Sequence, residues 1–359
     1  MSKIKIGITI GDINGVGIEV ILKTFTDKRI FDLCTPVVYG SSKVMAYHKN
    51  ITKLDFQYSN VKSAEHCSAD RLSVINCWQD NVNIELGKPT EVSGKYAAIS
   101  LDKATDDLQN GLIDAVVTAP INKEAMKMAK FSFPGHTEYL ANKFSKGKSL
   151  MFLVNDDLRV GVATGHIPIS KVKERLTKGV LLQKIKMMNH SLRFDFSIER
   201  PKIAILGLNP HAGDNGVIGK EEEEFIRPAI IEAKKNGVLA MGPYPADGFW
   251  GSGLYKKFDG ILAMYHDQGL IPFKLLSFSA GVNVTAGMGV IRTSPDHGTA
   301  YDIAGKNEAN PASFRKALFT ALEIAKSRKF YEEANENKLE KRSAKLKQVE
   351  ARAEDLVEE

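Results

Sequence analysis

Apolar residues alternate strictly at the start of the chain. Ile4, Ile6, Ile8 and Ile10 occupy every second position and run into the glycine-bearing Gly11-Asp12-Ile13-Asn14-Gly15, the pattern of a strand ending in a polar loop. Similar Ile- and Val-rich runs recur downstream between stretches of helical spacing. They predict strands at 5–10, 36–39, 115–118, 148–154, 159–163, 202–207 and 260–264, and helices at 17–23, 96–110, 137–144, 169–189, 220–236 and 311–326. Strands alternating with helices imply βαβ units, a mostly parallel sheet and an α/β fold. Most of the strands end in loops bearing Gly or Pro, and ligands of open α/β sheets bind beyond those carboxyl ends.

At 359 residues the chain exceeds what one small core fills, so two domains or one large α/β domain are expected. With 43% hydrophobic and 26% charged residues, neither disorder nor a fibrous fold describes it. The longest stretch free of charged residues, 275–291, is broken by Gly, Ser, Thr and Asn and cannot span a bilayer, so no membrane partner is expected. Met1-Ser2-Lys3 leads straight into the first strand without an apolar leader segment, which points to no signal peptide and a cytoplasmic location. Cys34, Cys67 and Cys77 form no CxxC pair, so neither a disulfide framework nor a thiolate metal site is expected.

The net charge of +6 suits anionic small molecules as well as nucleic acid. Lys and Arg are dispersed, however, and no nucleic-acid motif occurs, so a non-catalytic nucleic-acid-binding protein is disfavoured. The segment 331–359 carries net −3, which places the positive charge on the body. Within it Leu339, Leu346 and Ala353 recur every seven residues, with Val349 and Leu356 on the adjoining stripe. That is a narrow seam on a charged C-terminal helix, which docks on its own subunit, frays or binds a partner.

His48, His66 and His190 lie in charged or helical sequence and receive no role. His136, His166, His211, His266 and His297 each sit beside Gly or Pro at a predicted strand end or loop. Three imidazoles converging from three strand ends, His166, His211 and His266, would half-fill the coordination sphere of a divalent metal. Nitrogen ligation favours Zn, Co, Ni, Mn or Fe over Mg, with Asp247 or Asp267 able to add oxygen. His136 and Thr137 open a predicted helix, where free N–H groups and the Thr137 hydroxyl could hold a phosphate or carboxylate, although Thr137 could equally be an N-cap. Lys274, Asn283 and Arg292 add a cation, an amide and a guanidinium fork suited to a phosphorylated hydroxy acid. No GxGxxG follows the first strand and no GxxxxGK[ST] occurs, so Rossmann and P-loop readings fail. The remaining candidate cofactor loop is Asp296-His297-Gly298-Thr299-Ala300-Tyr301-Asp302 and its continuation to Lys306.

Six motifs in order carry a resemblance: 11–17 (Gly-Asp-Ile-Asn-Gly-Val-Gly), 118–123 (Thr-Ala-Pro-Ile-Asn-Lys), 134–138 (Pro-Gly-His-Thr-Glu), 207–213 (Gly-Leu-Asn-Pro-His-Ala-Gly), 265–269 (Tyr-His-Asp-Gln-Gly) and 296–300 (Asp-His-Gly-Thr-Ala). Together they resemble the 4-hydroxythreonine-4-phosphate dehydrogenase (PdxA) family of pyridoxal phosphate biosynthesis, from the first strand to about Lys326. The last motif also resembles the adenosine loop of isocitrate and isopropylmalate dehydrogenases, the wider superfamily.

The resemblance implies two α/β/α domains around an active-site cleft: 1–130 with 285–330 on the dinucleotide side, 131–284 on the metal, substrate and dimer side, and 331–359 as a charged helical tail. It implies an NAD- or NADP-dependent oxidation of 4-phosphooxy-L-threonine followed by decarboxylation. One divalent metal, zinc, cobalt or magnesium, would be held by His166, His211 and His266 across a homodimer. His136, Thr137, Lys274, Asn283 and Arg292 match substrate-binding positions, and His297, Gly298, Thr299, Ala300 and Asp302 the cofactor loop. Lys274 or Asp247 would relay the proton. Loops 213–219 and 246–250 depart from the family pattern and leave open a sister activity on the 4-phosphates of D-threonate or D-erythronate.

Overall fold

The computed structural model describes residues 3–277 and 281–336; the heptad seam from Leu339 to Leu356 lies outside the described residues. The alternating isoleucines form β1 (Ile4–Thr9), followed by β2 (Cys34–Gly40), β3 (Tyr58–Val61), β4 (Leu72–Asn76), β5 (Ala115–Thr118) and β6 (Leu150–Val154). Then come β7 (Arg159–Val162), β8 (Lys202–Leu206), β9 (Leu239–Tyr244), β10 (Gly260–Ala263), β11 (Val282–Ala286) and β12 (Arg292–Pro295). All join one twelve-stranded sheet in the order β3-β4-β2-β1-β5-β12-β11-β6-β7-β10-β8-β9. Every pair is parallel except those made by β6 and β11, which run antiparallel to their neighbours. Every residue of β2 and β5 is buried, as expected of parallel strands covered on both faces.

The antiparallel strands matter for the site. Because β11 runs against β12, its first residues Val282 and Asn283 pair with Pro295 and Ser294, the last of β12. Asn283 thus reaches the sheet edge where β5 and β12 end. Helix Ala312–Glu336 packs on β12, β5 and β1, helix Glu91–Gln109 on β1, β2 and β5, and helix Lys178–Phe194 on β6, β10 and β11.

Two predicted helices are broken. The span 169–189 splits because Leu176 and Thr177 are extended and the Thr177 hydroxyl caps a new helix, Lys178–Phe194, by accepting from Val180 N at 3.2 Å. The span 220–236 begins instead with a π-helical turn, Glu222–Ile226, before Arg227–Lys235. Conversely, residues 265–269, read as a strand-end loop, open the helix His266–Ser277.

Candidate active site

Arg292 opens β12 and is 3% exposed. Side chains alternate across a sheet, so the partner of Val116 in the register shares a face with Thr118, two residues on. One step beyond the Val284–Thr293 pair, Thr285 flanks it from β11. Arg292 Nε and Nη2 both donate to Thr118 Oγ1 (3.1 and 2.8 Å), Nη1 donates to Thr285 Oγ1 (3.3 Å) and Nη2 to His136 Nδ1 (3.4 Å). The fork expected to clamp two ligand oxygens is therefore occupied by a threonine hydroxyl, leaving one Nη1–H and the charge. Burial pulls the guanidinium down to about 10, still cationic at neutral pH. No described carboxylate forms an ion pair with it; Glu138 acts on it only from beyond ion-pair range.

Arg292, Thr118, His136 and Glu138 line a cleft of about 220 Å³ together with Thr137, His166, Asn283, His297 and Gly298. His136 Nε2, Asn283 Oδ1 and His297 Nε2 are buried there without a hydrogen-bond partner among the described residues. Burial first, and the Arg292 charge second, hold His136 well below its ordinary range, so the ring is neutral. Gly135, not Thr137, precedes the helix His136–Ser145, with no side-chain cap. The first-turn N–H groups and the Thr137 hydroxyl are thereby left at the cleft.

His166 follows β7 and His266 follows β10, and their rings lie 5.5 Å apart. His266 Nδ1 contacts Asp267 Oδ1 at 2.7 Å, and His166 Nδ1 lies 3.9 Å from Glu138 Oε1. The Asp267 carboxylate on His266 Nδ1 leaves Nε2 of that ring with its lone pair, as in metal-ligating imidazoles. The pair therefore fits half of a divalent-metal site. His211 lines neither this cleft nor its neighbour, and among the described residues no three His, Cys, Asp or Glu side chains gather in one chain.

His211 stands on an unusual turn. His211, Ala212, Gly213, Asp214 and Asn215 all have φ between 43 and 81°, the left-handed region, which costs roughly 1–2 kcal/mol per non-glycine residue. Glu222, 1% exposed, holds the turn's entry: Oε1 accepts from Leu208 N (2.7 Å) and Asn209 N (2.8 Å), and Oε2 from Asn209 Nδ2 (3.0 Å). Asp247 is exposed on the helix Ala246–Gly251, which packs on this same turn. The structure thus groups Asp247 with His211, away from the cleft.

A second cleft of about 770 Å³ lies across the 295–300 loop and is lined by Val16, Val20, Lys274, His297, Ala300 and Asn310, among others. Lys274 Nζ lies 3.5 Å from Asp296 Oδ1, whose carboxyl burial pushes upward. Thr299 is buried, its carbonyl accepting from Val16 N at 3.0 Å, and Asp302 is exposed on the turn Tyr301–Ile303. Two tethers fix this loop. Asp12, 1% exposed, accepts from Tyr301 OH (2.7 Å), Ser93 Oγ (3.0 Å) and Asn14 N (2.8 Å). Glu19, 2% exposed, accepts from Ala309 N at 2.8 Å and pairs with Lys23. A Cβ at Gly15 would meet the Thr299 carbonyl at 2.8 Å, so the first loop's glycine permits this approach. Thr118, Lys123 and Glu138 also line the substrate-side cleft; they belong to the motifs 118–123 and 134–138 but were not singled out by residue type.

Residues 32–321 match the family model described as pyridoxal phosphate biosynthetic protein PdxA. A 4-hydroxythreonine-4-phosphate dehydrogenase of Bacteroides thetaiotaomicron is 51% identical over 95% of this chain and 94% of its own. One of Aquifex aeolicus is 40% identical over 88% and 96%. The crystal structure of a 4-hydroxythreonine-4-phosphate dehydrogenase from Klebsiella pneumoniae superposes with a TM-score of 0.79 at 33% identity, covering 90% of this chain and 98% of that one. One from Burkholderia phymatum gives 0.78 at 37%, covering 90% and 99%. The chain belongs to the PdxA family of pyridoxal phosphate biosynthetic proteins.

Proposed function

We propose that this chain is the NAD-dependent 4-hydroxythreonine-4-phosphate dehydrogenase of pyridoxal phosphate synthesis, oxidising the C3 hydroxyl of 4-phosphooxy-L-threonine to a β-keto acid that loses CO2. The observation that carries it is the buried Arg292 charge, which has no ion-pair partner among the described residues and sits in a cleft with three unpartnered polar atoms. Such a site is completed by a small anion.

The phosphate lies on the first turn of the helix His136–Ser145, taking hydrogen bonds from its N–H groups, the Thr137 hydroxyl, His136 Nε2–H and the free Nη1–H of Arg292. Asn283 Oδ1 accepts from a substrate hydroxyl or ammonium. His166 and His266 would hold a divalent cation, which would supply Lewis acidity toward the substrate hydroxyl, and the second cleft would take the dinucleotide that accepts the hydride. His297 lines both clefts, so the 295–300 loop sets the substrate against the cofactor. Lys274 stands at this loop, 3.5 Å from Asp296 Oδ1, and relays the hydroxyl proton. His211, on the left-handed turn, and Asp247, on the helix packed against it, enter from a second copy of the chain and complete the metal site.

The test is turnover by the purified full chain with zinc, cobalt or magnesium, NAD or NADP and 4-phosphooxy-L-threonine. NADH or NADPH should appear, and chelation should stop it. No turnover with any of these metals overturns the reading, and a higher kcat/KM on 4-phospho-D-threonate moves the activity to the sister substrate.

A further inference from the structure

Thr118 is 0% exposed at the end of β5, yet it lines the cleft. Its Oγ1 takes two N–H bonds from one guanidinium, at 3.1 and 2.8 Å. A hydroxyl has two acceptor sites and one hydrogen. With both acceptor sites filled by Arg292, the O–H can only donate, and no acceptor for it is found among the described residues. A buried donor left without a partner is unfavourable by itself, and Thr118 lines the cleft.

We propose that Thr118 is an anion-binding and positioning residue: its oxygen fixes the guanidinium so that one Nη1–H faces the ligand, and its own hydrogen is a further donor to the same anionic group. This rests on the reading of the cleft as the substrate phosphate site and adds to it a neutral donor. Arg292 then serves the anion through its charge and a single N–H rather than through a bidentate clamp. The alternation of β5 places Val116 and Thr118 on the face of Arg292, so no other residue of that strand end can take this part.

The test uses the full-length metal-loaded enzyme, with inorganic phosphate as the binding probe and 4-phosphooxy-L-threonine as substrate. Thr118→Val removes the hydroxyl at nearly constant volume. Its phosphate Kd and substrate KM should both rise about 10- to 100-fold, the range for charge-assisted hydrogen bonds, with little change in kcat or in the KM for NAD. Thr118→Ser, which keeps the hydroxyl, should restore both to within about threefold of wild type, a rescue that a purely packing role would not give. Should the valine variant fail to fold, Thr118→Cys against Thr118→Ser isolates the oxygen, because the two differ by sulfur for oxygen alone. A valine or cysteine variant with the phosphate Kd and KM of the serine variant overturns the proposal. A wild-type enzyme that neither binds phosphate nor turns the substrate over instead overturns the reading of the cleft, and the proposal with it.

Discussion

Arg292 donates from Nη2 to Nδ1 of His136, and this bond decides what His136 offers a ligand. A guanidinium cannot accept a hydrogen bond, so Nδ1 carries the lone pair. Burial beside a cation keeps the ring neutral, so the hydrogen sits on Nε2, the buried atom that has no partner among the described residues. His136 is therefore a fixed neutral donor, set by Arg292.

Replacing Arg292 with Met should separate binding from stability. Arg292→Met removes a buried charge that has no counter-ion among the described residues, so the melting temperature without ligand should hold or rise. The kcat/KM should fall at least about 30-fold through loss of a charged donor, and added phosphate should stabilise wild type but not the variant. A variant that is both destabilised and still protected by phosphate would contradict the assignment.

Much of this site was legible in the chain because its residues stand at ends of β-strands, where apolar runs stop at Gly or Pro. His136, Thr137, Asn283 and Arg292 share one cleft as their types suggested, whereas Lys274, grouped with them by type, lines the second cleft. Less legible was whatever depends on the antiparallel strands. Residues 275–291 read as a charge-free run, since Gly287 and Gly289 conceal the turn between β11 and β12. The helix His266–Ser277 was hidden by Gly269 and Pro272 within it. Glu222 sits in the acidic run Glu221–Glu224, which reads as a solvated helix face; its partners are backbone N–H groups more than ten positions upstream, and no side-chain pattern records those.

His48 gives the fold an acid-sensitive joint. It is buried, its Nε2–H donates to Ile13 O at 2.9 Å, and burial lowers it to about 4. Between about 4 and 6.5 the unfolded chain binds more protons at this position than the folded one, so stability rises with pH across that window and is lost on acidification. The shift corresponds to about 3 kcal/mol. His48→Gln should flatten the urea-unfolding free energy over this pH range by that order; an unchanged pH profile would rule His48 out as its source.

Tyr301 should report on the cofactor loop alone. Tyr301→Phe leaves the buried Asp12 carboxylate short of one donor, which should cost about 1–3 kcal/mol in stability. The KM for NAD should rise several-fold while the substrate KM holds. An equal change in both constants would mean that the tether does not act through the second cleft.

Asp267 orients His266 through Nδ1. Outer partners of ligating imidazoles typically contribute 10–100-fold in metal affinity. Asp267→Asn should therefore weaken zinc binding, read by chelator competition, by about that factor, and excess metal should restore most of the kcat. Zinc affinity equal to that of wild type would show that the carboxylate does not set the ring.

Glu222 is the residue on which the left-handed turn of His211 depends. Four of the five residues from His211 to Asn215 are not glycine, so the turn is locally unfavourable and persists because its surroundings fix it. The Glu222 carboxylate takes two backbone N–H groups at the entry to the turn and one side-chain N–H. Glu222→Ala leaves those donors unpaired and should lower stability by about 3 kcal/mol in urea unfolding. Glu222→Gln retains one accepting oxygen for Leu208 and Asn209 but sets its amide hydrogens against those of Asn209, so it should lose about half as much. If His211 is a metal ligand whose position this turn sets, zinc affinity should fall in the same order, wild type above Gln above Ala. Asp214→Gly, which relaxes an exposed left-handed position, should gain about 0.5–1 kcal/mol without weakening zinc. Zinc affinity that stays constant while stability falls would limit Glu222 to holding the fold.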